Sequence, residues 1–127
     1  MPTALQGPPL AASRTELWRV TDRQTFRLLR EQGRRARRGP LTVTWLPPAP
    51  GVDDRPPRVA FAVGRTTGGA VLRNRIRRRL RAALRELRAS GRLPGGTYLV
   101  GARAEIANLP WSALVEELDA TCSEARS

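Results

Sequence analysis

Between Ala70 and Ala89 the chain sets Leu72, Ile76, Leu80, Ala83, Leu84 and Leu87 on one narrow stripe of a 3.6-residue period. Arg77, Arg81, Arg85 and Arg88 take the opposite side, with Asn74 and Arg78 beside them. No other segment constrains the fold as strongly. A helix of this length with one apolar stripe must lay it on another layer, and Ser90-Gly91 supplies its stop.

The layer it needs is written in alternating segments. Leu41 to Leu46 sets Leu41, Val43 and Trp45 against Thr42 and Thr44, which is strand periodicity. Arg58 to Val63 alternates Val59, Phe61 and Val63 with Ala60 and Ala62, whose small side chains leave a shallow face for something to lie against. Tyr98, Val100 and Ala102 give a third strand after the Pro94-Gly95-Gly96 turn. Upstream, Thr21 followed by Gln24 resembles a capping box that starts a helix at Asp22, and Gly33 is placed to end it. On that helix Thr25, Leu28, Leu29 and Gln32 share an arc, with Phe26 and Arg30 at its edge. Pro110 suits the start of a last helix, with Trp111, Leu114, Val115, Leu118 and Cys122 as its buried stripe. Pro47 to Pro57 and Gly64 to Gly69 are loops, and Arg34, Arg35, Arg37 and Arg38 form a basic run before Gly39-Pro40. The order helix, strands, helix, strand, helix implies an α/β (α+β) two-layer sandwich around one small sheet. The expected organisation is a mobile tail over residues 1–13, one domain over 14–121 and a C-terminal tail over 122–127. Met1 to Ser13 has no signal-peptide pattern and no segment approaches a membrane span, so cytoplasm is the default expectation.

Charge narrows the function. The net charge is +12, and all 23 basic residues are Arg, whose planar fork pairs phosphate oxygens bidentately. That charge on a chain of 127 residues calls for a polyanionic partner. It peaks at Arg73-Asn-Arg-Ile-Arg-Arg-Arg-Leu-Arg81, six Arg in nine residues, and Glu86 is the sole acid from Ala70 to Gly91. Like charges along a helix repel, and an RNA backbone relieves the repulsion. Chemistry by side chains is poorly supplied. There is no His, and the eleven carboxylates are scattered, with Asp53-Asp54 and Glu116-Glu117 the only adjacent pairs. A two-metal site needs several converging carboxylates, and the serines show no base partner. No catalytic and no metal-ligating residue is expected. Cys122, a lone cysteine, reads as a small buried apolar side chain. Gly64 to Ala70 lacks a phosphate-loop signature, although a helix N-terminus there could take an RNA phosphate.

In these segments the chain resembles a known family, the protein component of bacterial ribonuclease P. Arg58-Val-Ala-Phe-Ala-Val-Gly-Arg, then Gly68-Gly-Ala-Val-Leu-Arg-Asn-Arg-Ile-Arg-Arg-Arg-Leu-Arg, is similar to that family's strand, loop and Arg-Asn-Arg helix. The likeness extends roughly from Leu17 to Thr121. It implies a small mixed sheet with a left-handed crossover between parallel strands, against the usual hand. It also implies a ribonuclease P subunit that binds a catalytic RNA and the 5′ leader of precursor tRNA. The RNA, with its Mg²⁺, would hydrolyse the phosphodiester, and the protein would be a monomer, one per RNA. Arg65, Arg73, Asn74, Arg75, Arg77, Arg78 and Arg81 would face the catalytic RNA. A cleft between the first helix and the sheet would hold the leader, near Phe26, Arg30, Thr42 and Thr44. Phe26 stands as a stacking platform or as a core residue; Trp18, Trp45 and Trp111 read as packing. Arg30 and Thr44 stand where the family often has aromatics, and Thr66 and Gly69 where it has a basic residue and an Asn. The other readings are a ribosomal-type structural RNA-binding protein and a self-sufficient endonuclease.

Overall fold

The computed structural model describes residues 17–50 and 56–127. The tail expected over 1–13 and the Asp53-Asp54 pair lie outside the described residues. The elements are β1 (Trp18–Arg19), α1 (Arg23–Gln32), β2 (Arg34–Arg38), β3 (Leu41–Leu46), β4 (Arg58–Ala62), α2 (Ala70–Ala89), β5 (Thr97–Ala102) and α3 (Trp111–Arg126). Short 3₁₀ segments precede α2 at Arg65–Thr67 and α3 at Ala104–Asn108. One five-stranded sheet has the order β1-β4-β5-β3-β2. β1 and β5 run parallel to β4; β3 runs antiparallel to β5 and to β2. The sheet is therefore mixed, with α2 as the crossover between two parallel neighbours.

Period two splits the sheet into a thick face and a thin one. Leu41, Val43, Val59, Tyr98 and Val100 turn to one side and are buried with Ile76, Leu80, Ala83, Leu84 and Leu87 of α2. Leu114, Val115, Leu118, Cys122 and Ala125 of α3 complete that core. Each fully buried Leu contributes about 1.5–3 kcal/mol over an exposed one, so the α2 stripe alone fixes which way that helix faces. Burial pushes the Cys122 thiol up to about 12, so it is an inert core group. The thin face carries α1, which buries Thr25 and Leu29.

Several sequence expectations need correction. The helix cap is Asp22, not Thr21: Asp22 Oδ2 accepts from the Thr25 backbone N–H at 3.0 Å, and α1 begins one residue later. The basic run is a strand, β2, with only Ala36 buried. β1 and the 3₁₀ turns have no signature in the sequence pattern. β4 stops at Ala62, one residue short. α3 continues to Arg126 with Cys122 and Ala125 buried, so residues 122–127 are the end of a packed helix and not a tail. Trp111, assigned to the buried stripe, is 39% exposed at the start of α3.

Candidate RNA interface

The thin face of the sheet and α1 enclose a groove of about 460 Å³. Thr42 and Thr44 of β3, Leu99 and Gly101 of β5 and Ala62 of β4 form its floor, and Leu29 and Arg30 of α1 its wall. Small residues make that floor shallow, as the Ala60–Ala62 alternation implies. α1 can sit this low because of Gly33: a Cβ there would lie 2.5 Å from Thr44 Cγ2.

Strand alternation sorts the basic run between two faces. Arg34 and Arg38 turn to the thick face. Arg38 pairs with Glu117 at 3.4 Å and Glu124 at 3.6 Å, and Arg34 donates to the Ser127 carbonyl at 3.0 Å. Arg35 and Arg37 stand opposite Thr44 and Thr42 in register and line the groove. With Arg30 and Arg103 they put four guanidinium groups around it, and no carboxylate among the described residues lines it. Such a groove favours a chain of phosphates with small or flat groups between them. The sequence points to Arg30, Thr42 and Thr44 here, and the structure brings them together. Arg35, Arg37 and Arg103 escape a sequence reading; knowing that Arg34–Arg38 is a strand would expose the first two. Phe26, one turn before Arg30, is half-buried and belongs neither to the core nor to the groove lining.

The position of α1 rests on a polar knot. Asp22 Oδ2 also accepts from Thr25 Oγ1 at 2.7 Å, and Asp22 Oδ1 pairs with Arg58 Nη2 of β4 at 2.9 Å. The Thr25 hydroxyl, then the Thr25 N–H, and least the Arg58 guanidinium hold the Asp22 carboxyl below its usual range. One carboxylate thus caps the helix and ties it to the sheet.

On the far side, α2 displays the second basic surface. Arg65, Asn74, Arg75 and Arg78 are exposed. Arg73 is half-buried, and its Nε is buried without a hydrogen-bond partner. Arg77 and Arg81, expected on the fully polar side, are half-buried. Arg77 donates to Asn74 Oδ1 at 3.0 Å and to the Val63 carbonyl at 3.2 Å, and Arg81 lies 5.2 Å from the centroid of Phe61. Arg79 does a different job: it donates to the Ile106 and Leu109 carbonyls and lies 5.9 Å from the Trp111 ring centroid. Trp111 donates in turn to Glu86, and Trp45 to the Gly95 carbonyl, at 3.1 and 3.3 Å. Trp45 packs against the core, whereas Trp18 is 38% exposed. Among the described residues no three or more His, Cys, Asp or Glu side chains group as metal donors.

Comparison with known proteins bears on this geometry. The family model described as Ribonuclease P matches residues 15–126. The ribonuclease P protein component of Thermobifida fusca is 41% identical over 106 residues, covering 80% of this chain and 71% of that protein. Its counterpart in Streptomyces avermitilis is 37% identical over 108 residues, covering 80% and 86%. The Staphylococcus aureus RNase P protein structure superposes with a TM-score of 0.70 at 19% identity, covering 87% of this chain and 97% of that one. The Thermotoga maritima protein gives 0.67 at 23%, covering 83% and 96%. At those identities the two structures speak for the fold.

Proposed function

The chain belongs to the ribonuclease P protein family, as a protein component of that tRNA-processing endoribonuclease, and from this premise we propose that it holds its two RNAs on opposite sides. Family membership makes it an RNA-binding subunit whose partner is the ribonuclease P RNA, and it sets aside the ribosomal-type reading. In the division proposed, the exposed face of α2, with Asn74, Arg75 and Arg78, meets the catalytic RNA together with Arg65 of the 3₁₀ turn before it. Arg73, Arg77 and Arg81 line the inner margin of that contact. The groove under α1 takes the single-stranded 5′ leader of precursor tRNA.

One observation carries the leader assignment: the groove is bordered by Arg30, Arg35, Arg37 and Arg103 and, among the described residues, by no carboxylate. Threonine hydroxyls on its floor can donate to phosphate or ribose oxygens, and its small floor residues admit a strand of nucleotides. Recognition here rests on phosphate charge more than on stacking, because Arg30 and Thr44 occupy positions where aromatics would stack. Hydrolysis is assigned to the RNA with its Mg²⁺. This chain's part is to fix the leader, so that the scissile phosphate is presented in one register, and to screen the repulsion between two polyanions. One monomer per RNA, acting in the cytoplasm, completes the reading.

Arg35→Ala/Arg37→Ala in the assembled holoenzyme tests it. Precursor tRNA should bind about 10- to 150-fold more weakly for each charge-assisted hydrogen bond removed, while leaderless tRNA binds as before. Equal loss for both substrates, or none for either, removes the leader from this groove.

A further inference from the structure

The groove and the outer face of α2 leave two arginines unassigned at the β1 edge of the sheet, Arg19 and Arg85, and both stand beside Arg81. Arg19 is the register partner of Val59, so the two side chains turn to the same face, and Phe61 follows two residues on in that direction. This is the α2 side, because Val59 lies in the core with α2. From above, Arg81 lays its guanidinium 5.2 Å from the Phe61 centroid, and Arg85 follows one helical turn later. Arg19 and Arg85 are exposed, and none of the three has an ion-pair partner among the described residues. Of the acids closest to them in sequence, Asp22 pairs with Arg58, and Glu86 is turned toward Trp111 of α3. Burial, then Arg85, then Arg19 lower the affinity of Arg81 for its proton, which is how three converging cations without a counter-ion should behave.

We propose that Arg19, Arg81 and Arg85 form a phosphate site beside Phe61 that receives a backbone phosphodiester of the catalytic RNA. The interface then runs off α2 onto β1, adding Arg19 and Arg85, which lie outside the arginine-rich stretch of that helix, to Arg81 at its end. The inference rests on the reading that α2 faces the catalytic RNA. Two features favour that RNA over the leader. Arg78, Arg85 and Arg81 lie within about 60° on the helix, so the cluster continues the exposed α2 surface. It also lies on the face of the sheet opposite the groove.

The test uses the full chain, a transcript of the catalytic RNA and filter binding across a KCl series, with Arg19→Gln/Arg85→Gln beside Arg75→Gln/Arg78→Gln. The first pair should weaken binding about tenfold or more per arginine and flatten the log–log salt slope by roughly one per arginine. Its melting temperature should hold or rise, because removing like charges relieves repulsion in the free protein. Arg19→Lys/Arg85→Lys, which keeps the charge, should retain most of the affinity. Wild-type affinity in the first pair with a loss in the second overturns the phosphate site and leaves the α2 reading standing. Wild-type affinity in both overturns the two together. A lysine pair as weak as the glutamine pair, with a lowered melting temperature, makes these residues structural and overturns the site as well. So does weakened binding of precursor relative to leaderless tRNA with catalytic-RNA affinity intact.

Discussion

Arginine is one residue type doing at least three jobs here, and its neighbours decide which. Arg78 and Arg79 are adjacent, yet Arg78 is exposed and Arg79 reaches back to two carbonyls at the end of the 3₁₀ turn before α3. Those carbonyls would otherwise be short of donors where α2 meets α3. Arg79→Ala should therefore cost about 1.5–3 kcal/mol of stability, read as a melting temperature lowered by several degrees, and Arg78→Ala should leave the melt unchanged. Equal melts for both would show that Arg79 is not structural. Phe26 separates its roles in the same way. Because it lies outside the core, Phe26→Ala should keep the wild-type melt, and a stacking role predicts a loss of about 1–3 kcal/mol in precursor binding. A lower melt with no leader-dependent defect would return it to packing.

At the scale of elements, legibility follows apolar pattern. The bounds of α2, Ala70–Ala89, and of β3, Leu41–Leu46, can be read directly, since each buries one face and its sequence period says so. β2 cannot be read, because Arg occupies both faces and Ala36 is its single buried residue. Its order comes from pairing with β3 and from Arg38 reaching α3, neither of which leaves a local signature. The cap of α1 is misplaced by sequence for a related reason. Thr21 and Asp22 are both competent caps, and the structure uses Asp22, which also pairs with Arg58 across 36 residues of sequence. The groove is legible in outline through Ala60, Ala62 and the threonines, while its Arg35–Arg37 border is hidden with β2. The Asp22 knot also has a pH signature. Its folded carboxyl titrates below the ordinary aspartate value of about 3.9, so it binds protons less readily when folded. The stabilisation is fully present above the unfolded value and is lost as pH falls through the lowered folded one. Across that acid window the melting temperature should drop more steeply in the wild type than in Asp22→Asn; parallel curves would show that the knot does not hold α1.

For the molecule as a whole, charge is distributed by face. The groove and the outer α2 surface are cationic, whereas α3 carries Glu116, Glu117, Asp119 and Glu124, three of which pair with Arg38 or Arg92. In the proposed division, like charge keeps RNA off α3 and leaves it the two cationic sides. Binding of precursor tRNA by the holoenzyme should fall steeply with salt, and Arg35→Ala/Arg37→Ala should flatten that slope by roughly one unit per arginine for precursor alone. A slope near zero in the wild type would show the charge to be incidental.

The sheet order β1-β4-β5-β3-β2 also bears on how the chain is made. The central strand is the last strand synthesised. Until Thr97–Ala102 is made, the β2–β3 hairpin and the β1–β4 pair have no strand to connect them. β5 joins them by pairing with β3 and β4 and brings Leu99 and Gly101 to the groove floor. A growing polypeptide therefore carries nearly all its arginines before it has a finished groove, because the groove floor is complete only once the last strand is threaded into the middle.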